Sequence, residues 1–128
     1  MALSFRLHGL RAWVLQRLSA LYLLLYGLLV GARFAAEGVP GGSEAWRAFL
    51  AAPLTGAATL VLVPVLLLHA WVGVRDMLID YLHPWRWRLA ALAALAAALL
   101  LLGAWALRLL LGALMWTSLG GIPGGGAG

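Results

Sequence analysis

The chain has 128 residues, of which 65% are hydrophobic and only 10% charged, and its mean hydropathy is +1.00. That leaves too little polar surface for a water-soluble domain, so lipid must cover most of it. The nine basic residues, all Arg, against four Asp and Glu give a formal charge of +5; they stand at the ends of apolar segments and form no basic face, which excludes a nucleic-acid footprint. With no Cys, disulfides, iron–sulfur ligation and thiol chemistry are excluded from this chain.

Hydropathy and punctuation predict an all-α integral membrane protein, a three-helix transmembrane bundle. The first span runs over about 12–34, preceded or opened by Arg6, Arg11, Trp13 and Arg17. A cleaved secretory leader ending near 30–32 is the competing reading, and the long arginine-bearing stretch before the apolar run argues against it. Residues 37–44 carry Gly, Pro and Ser and read as a loop, with 45–50 as an interfacial turn. The second span covers about 54–79. A break over 80–85 contains Pro84, which disfavours helix at the residue before it. The third span covers about 87–116, which closes a single membrane domain over 1–116. The glycine-rich 117–128 reads as a disordered tail.

At about 1.5 Å per residue, each span is long enough to cross a hydrocarbon core of about 30 Å with some tilt. Trp13, Trp46, Trp85, Trp87 and Trp116 fall near span ends, at the level where an indole is favoured. Arginines cluster before the first span and, as Arg75, Arg86 and Arg88, around the second connection, whereas Arg33 and Arg47 are balanced by Glu37 and Glu44. The N-terminus and second connection are therefore expected in the cytoplasm and the C-terminus outside. Ala90, Ala94 and Ala97 form a small-residue stripe that reads as a helix-packing face.

Polar residues within the spans are costly to bury, so function is sought there. His69 lies about 15 Å by the helix rise from the end of the second span, near the bilayer centre, with no acid beside it in its own helix. Two readings stand: a neutral imidazole hydrogen-bonded across a helix interface, or an axial ligand to haem iron. At 100° per residue, Gly73, Asp76 and Asp80 share its face, while Trp71 points the opposite way, toward lipid. Gly73 leaves room that a flat cofactor would need, or simply lets helices approach. Adjacent Arg75 and Asp76 do not face each other, so no mutual pair is expected. Asp80 and Tyr81 stand where the helix leaves the membrane. Tyr81 is there either a belt residue or a phenol within reach of an amphiphilic quinone.

His69-Ala70-Trp71-Val72-Gly73, followed by Asp80-Tyr81 and Pro84, resembles the second-helix signature of the smaller, D-type membrane anchor of bacterial succinate dehydrogenase (succinate:quinone oxidoreductase, complex II). Gln16-Arg17-Leu18-Ser19-Ala20, with Tyr22 and Tyr26, is similar to that family's first helix, and Glu44-Ala45-Trp46 with Phe49 to its short connecting segment. The resemblance covers about residues 11–115. It implies a multi-pass subunit of the bacterial inner membrane that itself carries no catalytic residue. Its implied partners are a second anchor (cytochrome b) subunit, an iron–sulfur subunit and a flavoprotein that oxidises succinate. It further implies a haem b held between the two anchors and a shared site for ubiquinone reduction. Residue by residue, His69 matches one axial haem ligand, Tyr81 the quinone-site tyrosine and Asp80 the acid beside it. Arg17 matches a basic residue near the haem propionates, Arg11 stands where some relatives carry a histidine near the haem, and Ser19 replaces the commoner threonine.

The residues leave two other functions open. One is the anchor of a quinol:fumarate reductase, running the same chemistry backwards. The other is a small transporter with His69 and Asp76 as a proton relay. A third span that beyond its first residues is polar only at Arg108 weighs against the transporter.

Overall fold

The protein is described by a computed structural model covering residues 2–118. It contains helices α1 (Ala2–Glu37), α2 (Ser43–Ala51), α3 (Pro53–Tyr81) and α4 (Trp85–Ser118). Three of them are long and apolar enough to cross a membrane, over Gly9–Glu37, Pro53–Tyr81 and Trp85–Trp116. The all-α, three-span expectation is met. The disordered-tail expectation starts too early, because Thr117 and Ser118 complete α4; the rest of that tail lies outside the described residues.

The expected turn over 45–50 is instead the nine-residue amphipathic helix α2. Its apolar residues Trp46, Phe49 and Leu50 recur at helical spacing, and Glu44 in its first turn favours the positive helix end. Gly38, at φ 83, ends α1 in the left-handed region where a side chain would be strained. Pro53 opens α3 at a position where its missing N–H costs nothing. The second break is narrower than expected, since α3 retains Asp80 and Tyr81 and only 82–84 are non-helical. Leu82 turns extended while still donating to the Leu78 carbonyl at 3.0 Å, and His83 is restricted by Pro84.

α3 is the central helix. It packs against α1 on one side and α4 on the other, α2 rests on α3 and α4, and among the described residues α1 does not approach α4. The result is an open layer, and its interior is unusual for a protein in water. The buried apolar residues are Val72, Leu110 and Ala113, and Ser19, Thr55 and Thr59 are buried beside them, while leucines along every span lie exposed. Lipid already matches leucine in polarity, so helices in a bilayer are joined by packing and by hydrogen bonds between them.

Those bonds join α1 to α3 along its length. Tyr22 donates to the Ala58 carbonyl at 2.6 Å. Thr59 gives its proton to the Thr55 carbonyl at 2.6 Å, so Tyr26 is the donor in the 2.9 Å bond between Tyr26 and Thr59. Fully buried Thr55 donates to the Phe49 carbonyl and accepts from Arg33 at 3.4 Å. Arg33 also holds Glu37 at 2.9 Å and lies 5.4 Å from the Phe49 ring centroid. Phe34, Trp46 and Phe49 close this end of the protein as an aromatic cluster with centroids 5.4–5.9 Å apart.

Candidate functional site: His69 at the α1–α3 interface

His69 projects from the middle of α3 toward α1, where the polar residues at the same depth are Gln16 and Ser19. These two sit three residues apart, on one face of the helix. Ser19 is buried, 6% exposed. Its Oγ donates to the Gln16 carbonyl at 3.0 Å and lies 2.9 Å from His69 Nδ1. A hydroxyl has one proton, and a carbonyl can only accept. Ser19 Oγ is therefore the acceptor toward histidine, and Nδ1 carries the imidazole proton. Nε2 is left with a lone pair, which among the described residues accepts one long bond, from the Gln16 side-chain nitrogen at 3.4 Å.

This arrangement is suited to metal ligation. A ligating imidazole is neutral, binds through one nitrogen and is oriented by a hydrogen bond from the other. Gln16 adds a second sign. Among the described residues its Oε1 is the one buried side-chain polar atom with no hydrogen-bond partner, a condition that is rare without a missing ligand or water. Gly73, one turn from His69, is crowded by the same side chain: a Cβ there would stand 3.1 Å from Gln16 Nε2. Among the described residues no three His, Cys, Asp or Glu converge on a metal position, so His69 is the one imidazole that α3 brings to this interface.

A cavity of about 700 Å³ opens next to this site between α1 and α3, bordered by Arg11, Trp13, Gln16, Trp71, Arg75 and Asp76. Arg11 thus faces the space beside His69. Arg17 does not border the cavity; it is exposed and lies 5.6 Å from the Trp13 ring centroid. Two expectations need correction. Trp71 is half-buried and borders this cavity and a second one against α4, so it is no lipid-facing opposite of the site. Arg75 does pair with Asp76, through bonds of 2.7 and 3.0 Å to one carboxylate oxygen. Their Cβ atoms diverge on the helix, but the long arginine side chain reaches back around it. Tyr81 is 80% exposed, and Asp80 is exposed beside it. They are about 18 Å along α3 from His69 and form a separate location at the membrane end.

Gln16 and Ser19 were legible only as members of a motif, although a simpler signal was present. They are polar side chains in the first apolar span at the depth of the only intramembrane histidine.

Helix length, apolar surface and a polar interior define a multi-pass helical membrane subunit with an intramembrane histidine. A profile of the succinate dehydrogenase/fumarate reductase transmembrane subunit family matches residues 3–105, and the chain belongs to that family. It is thus a membrane subunit of that oxidoreductase complex, associated with the complex's other subunits.

Proposed function

We propose that this chain is the smaller, D-type anchor of a succinate dehydrogenase of the bacterial inner membrane. With a second, cytochrome b-type anchor it holds one haem b and forms part of the site that reduces ubiquinone. A flavoprotein and an iron–sulfur subunit deliver the electrons. The observation that carries this reading is the unprotonated Nε2 of His69, engaged only by the long 3.4 Å contact from Gln16 and oriented by the Ser19 contact at Nδ1.

In this reading His69 would hold the haem iron from α3, and the partner anchor would supply a further ligand. Arg11, on the cavity beside His69, and Arg17, on the same helix, offer cations for the propionates. When bound, the haem would supply a one-electron store. The quinone's ring is received at the membrane end of α3, where the Tyr81 hydroxyl donates a hydrogen bond to a ring carbonyl. Asp80, at the same wet boundary, connects that carbonyl to solvent protons. The exposure of Tyr81 in this chain accords with a site completed by other subunits. The relay alternative is weakened because Asp76 is already engaged by Arg75. The family spans both directions of turnover, so a quinol:fumarate reductase anchor remains the second reading.

The test is His69→Leu in the purified complex. The b-type spectrum should be lost or shifted, while succinate oxidation with a water-soluble artificial acceptor persists. An unchanged spectrum would remove His69 as a ligand and this reading with it.

A further inference from the structure

At the membrane end opposite Tyr81, α2 and α4 enclose a cavity of about 410 Å³ bordered by Trp46, Arg47, Leu50, Arg108, Gly112 and Trp116, among others. Two guanidinium groups face one space, and no carboxylate borders it. Neither acid at this end compensates these arginines: Glu37 is held by Arg33, and among the described residues Glu44 forms no ion pair and does not border the cavity. Arg47 lies 4.8 Å from the Trp116 ring centroid, a contact with an aromatic face that leaves its charge uncompensated. Arg108 is the only charged residue in α4 beyond its first turn.

Depth identifies the counter-charge. Trp87 and Trp116 stand roughly 44 Å apart along α4, close to the full bilayer thickness of about 40–45 Å, so both indoles sit at headgroup level. Arg108 is then about 12 Å below the Trp116 level. From there a long cationic side chain reaches up to the phosphate layer rather than into water. A cavity bordered by two arginines and two tryptophans together with Leu50, Leu109 and Ala113 joins cationic to apolar surface, as the anionic head and acyl chains of a lipid require. We propose that Arg47 and Arg108 together bind the phosphodiester headgroup of an anionic phospholipid, with its chains lying against the apolar residues that border the cavity, Leu50 and Leu109 among them. The bidentate geometry of guanidinium suits a phosphodiester, and a zwitterionic headgroup brings its own cation into competition.

The experiment is native mass spectrometry of the complex in nanodiscs containing equal phosphatidylglycerol and phosphatidylcholine, with lipid adducts counted after mild activation. Wild type should retain phosphatidylglycerol in preference. Arg47→Gln with Arg108→Gln should lose it several-fold, and so should Gly112→Leu, which fills the cavity without altering charge, since a Cβ at Gly112 meets nothing within 4 Å. Arg86→Gln with Arg88→Gln removes equal charge from the opposite end and should leave retention unchanged. Excess inorganic phosphate should not displace the adduct. The proposal is overturned if retention is equal for both lipids, if it survives both site variants, or if it falls equally in the Arg86 and Arg88 variant. It is also overturned if phosphate displaces the lipid, which would make the site one for a free anion, or if the site variants shed a protein subunit with no change in lipid, which would assign the arginines to a partner's carboxylate.

Discussion

Ser19 Oγ lies 2.9 Å from His69 Nδ1 while committing its own proton to the Gln16 carbonyl at 3.0 Å. An imidazole whose Nδ1–H is accepted by an oxygen is a stronger donor at Nε2 and favours the ferric state of a bound haem iron. Ser19→Ala removes the acceptor and should raise the haem midpoint potential. A neutral hydrogen bond is worth about 1 kcal/mol, and a tenfold change in a one-electron equilibrium is about 59 mV, so the rise should be tens of millivolts. Ser19→Thr restores the hydroxyl and should restore the potential. A redox titration giving one potential for all three, in a complex whose spectrum still depends on His69, would deny Ser19 this role.

The spans, the Pro84 break and the depth of His69 were legible because each follows from a one-dimensional property: apolar run length, proline sterics or helix rise. What the sequence could not give was pairing between helices. Ser19 was a minor substitution until the fold put it on His69. Thr55 and Thr59 were unremarked residues of an apolar run until the fold buried them against Arg33 and Tyr26. Helical periodicity also misjudged Arg75 and Asp76, because angular position on a helix constrains Cβ atoms and not the end of a long side chain. The turn assigned to 45–50 failed for another reason. Nine residues are too few for a strong hydropathy signal, and α2 is held by its contacts with α3 and α4.

Orientation follows from charge. Arg11 and Arg17 stand at the start of the first span and Arg86 and Arg88 at the start of the third, so the N-terminus and the second connection should be retained in the cytoplasm and the C-terminus should lie outside. A reporter that is active only outside the cytoplasm should therefore work when fused after Gly128 and fail when fused before Met1. The opposite pattern would reverse the insertion, and activity at both positions would mean an even number of spans.

Thr55 is the polar hub of the α2 end: fully buried, donating to Phe49 and accepting from Arg33. Thr55→Val keeps the shape and removes the hydroxyl, leaving the Phe49 carbonyl and one arm of Arg33 without that partner. Loss of a buried bond with a partner left unsatisfied costs about 1–3 kcal/mol. The detergent-solubilised complex should lose its heat resistance accordingly, with the haem spectrum unaltered. Thr55→Ser should lie much closer to wild type. Identical thermal inactivation for Val and wild type would show that this end is held by its aromatic cluster alone.

Tyr81 decides whether this subunit only anchors or also takes part in the reaction. Its ring stands at the end of α3, 80% exposed in this chain, at the depth where a quinone head can meet water. If the hydroxyl donates to a quinone carbonyl, Tyr81→Phe removes one hydrogen bond and keeps the ring. The loss should be about 0.5–1.5 kcal/mol for a neutral bond and more if negative charge develops on the oxygen as the quinone is reduced. Quinone reduction should then slow severalfold or more. Assembly should not change, because phenylalanine is equally at home at the membrane boundary. The deciding measurement compares succinate-to-quinone with succinate-to-artificial-acceptor activity in the same membranes, across quinone concentrations. A selective fall in the first places Tyr81 in the quinone site. Wild-type values for both would make it a belt residue and leave the quinone to the partner subunits.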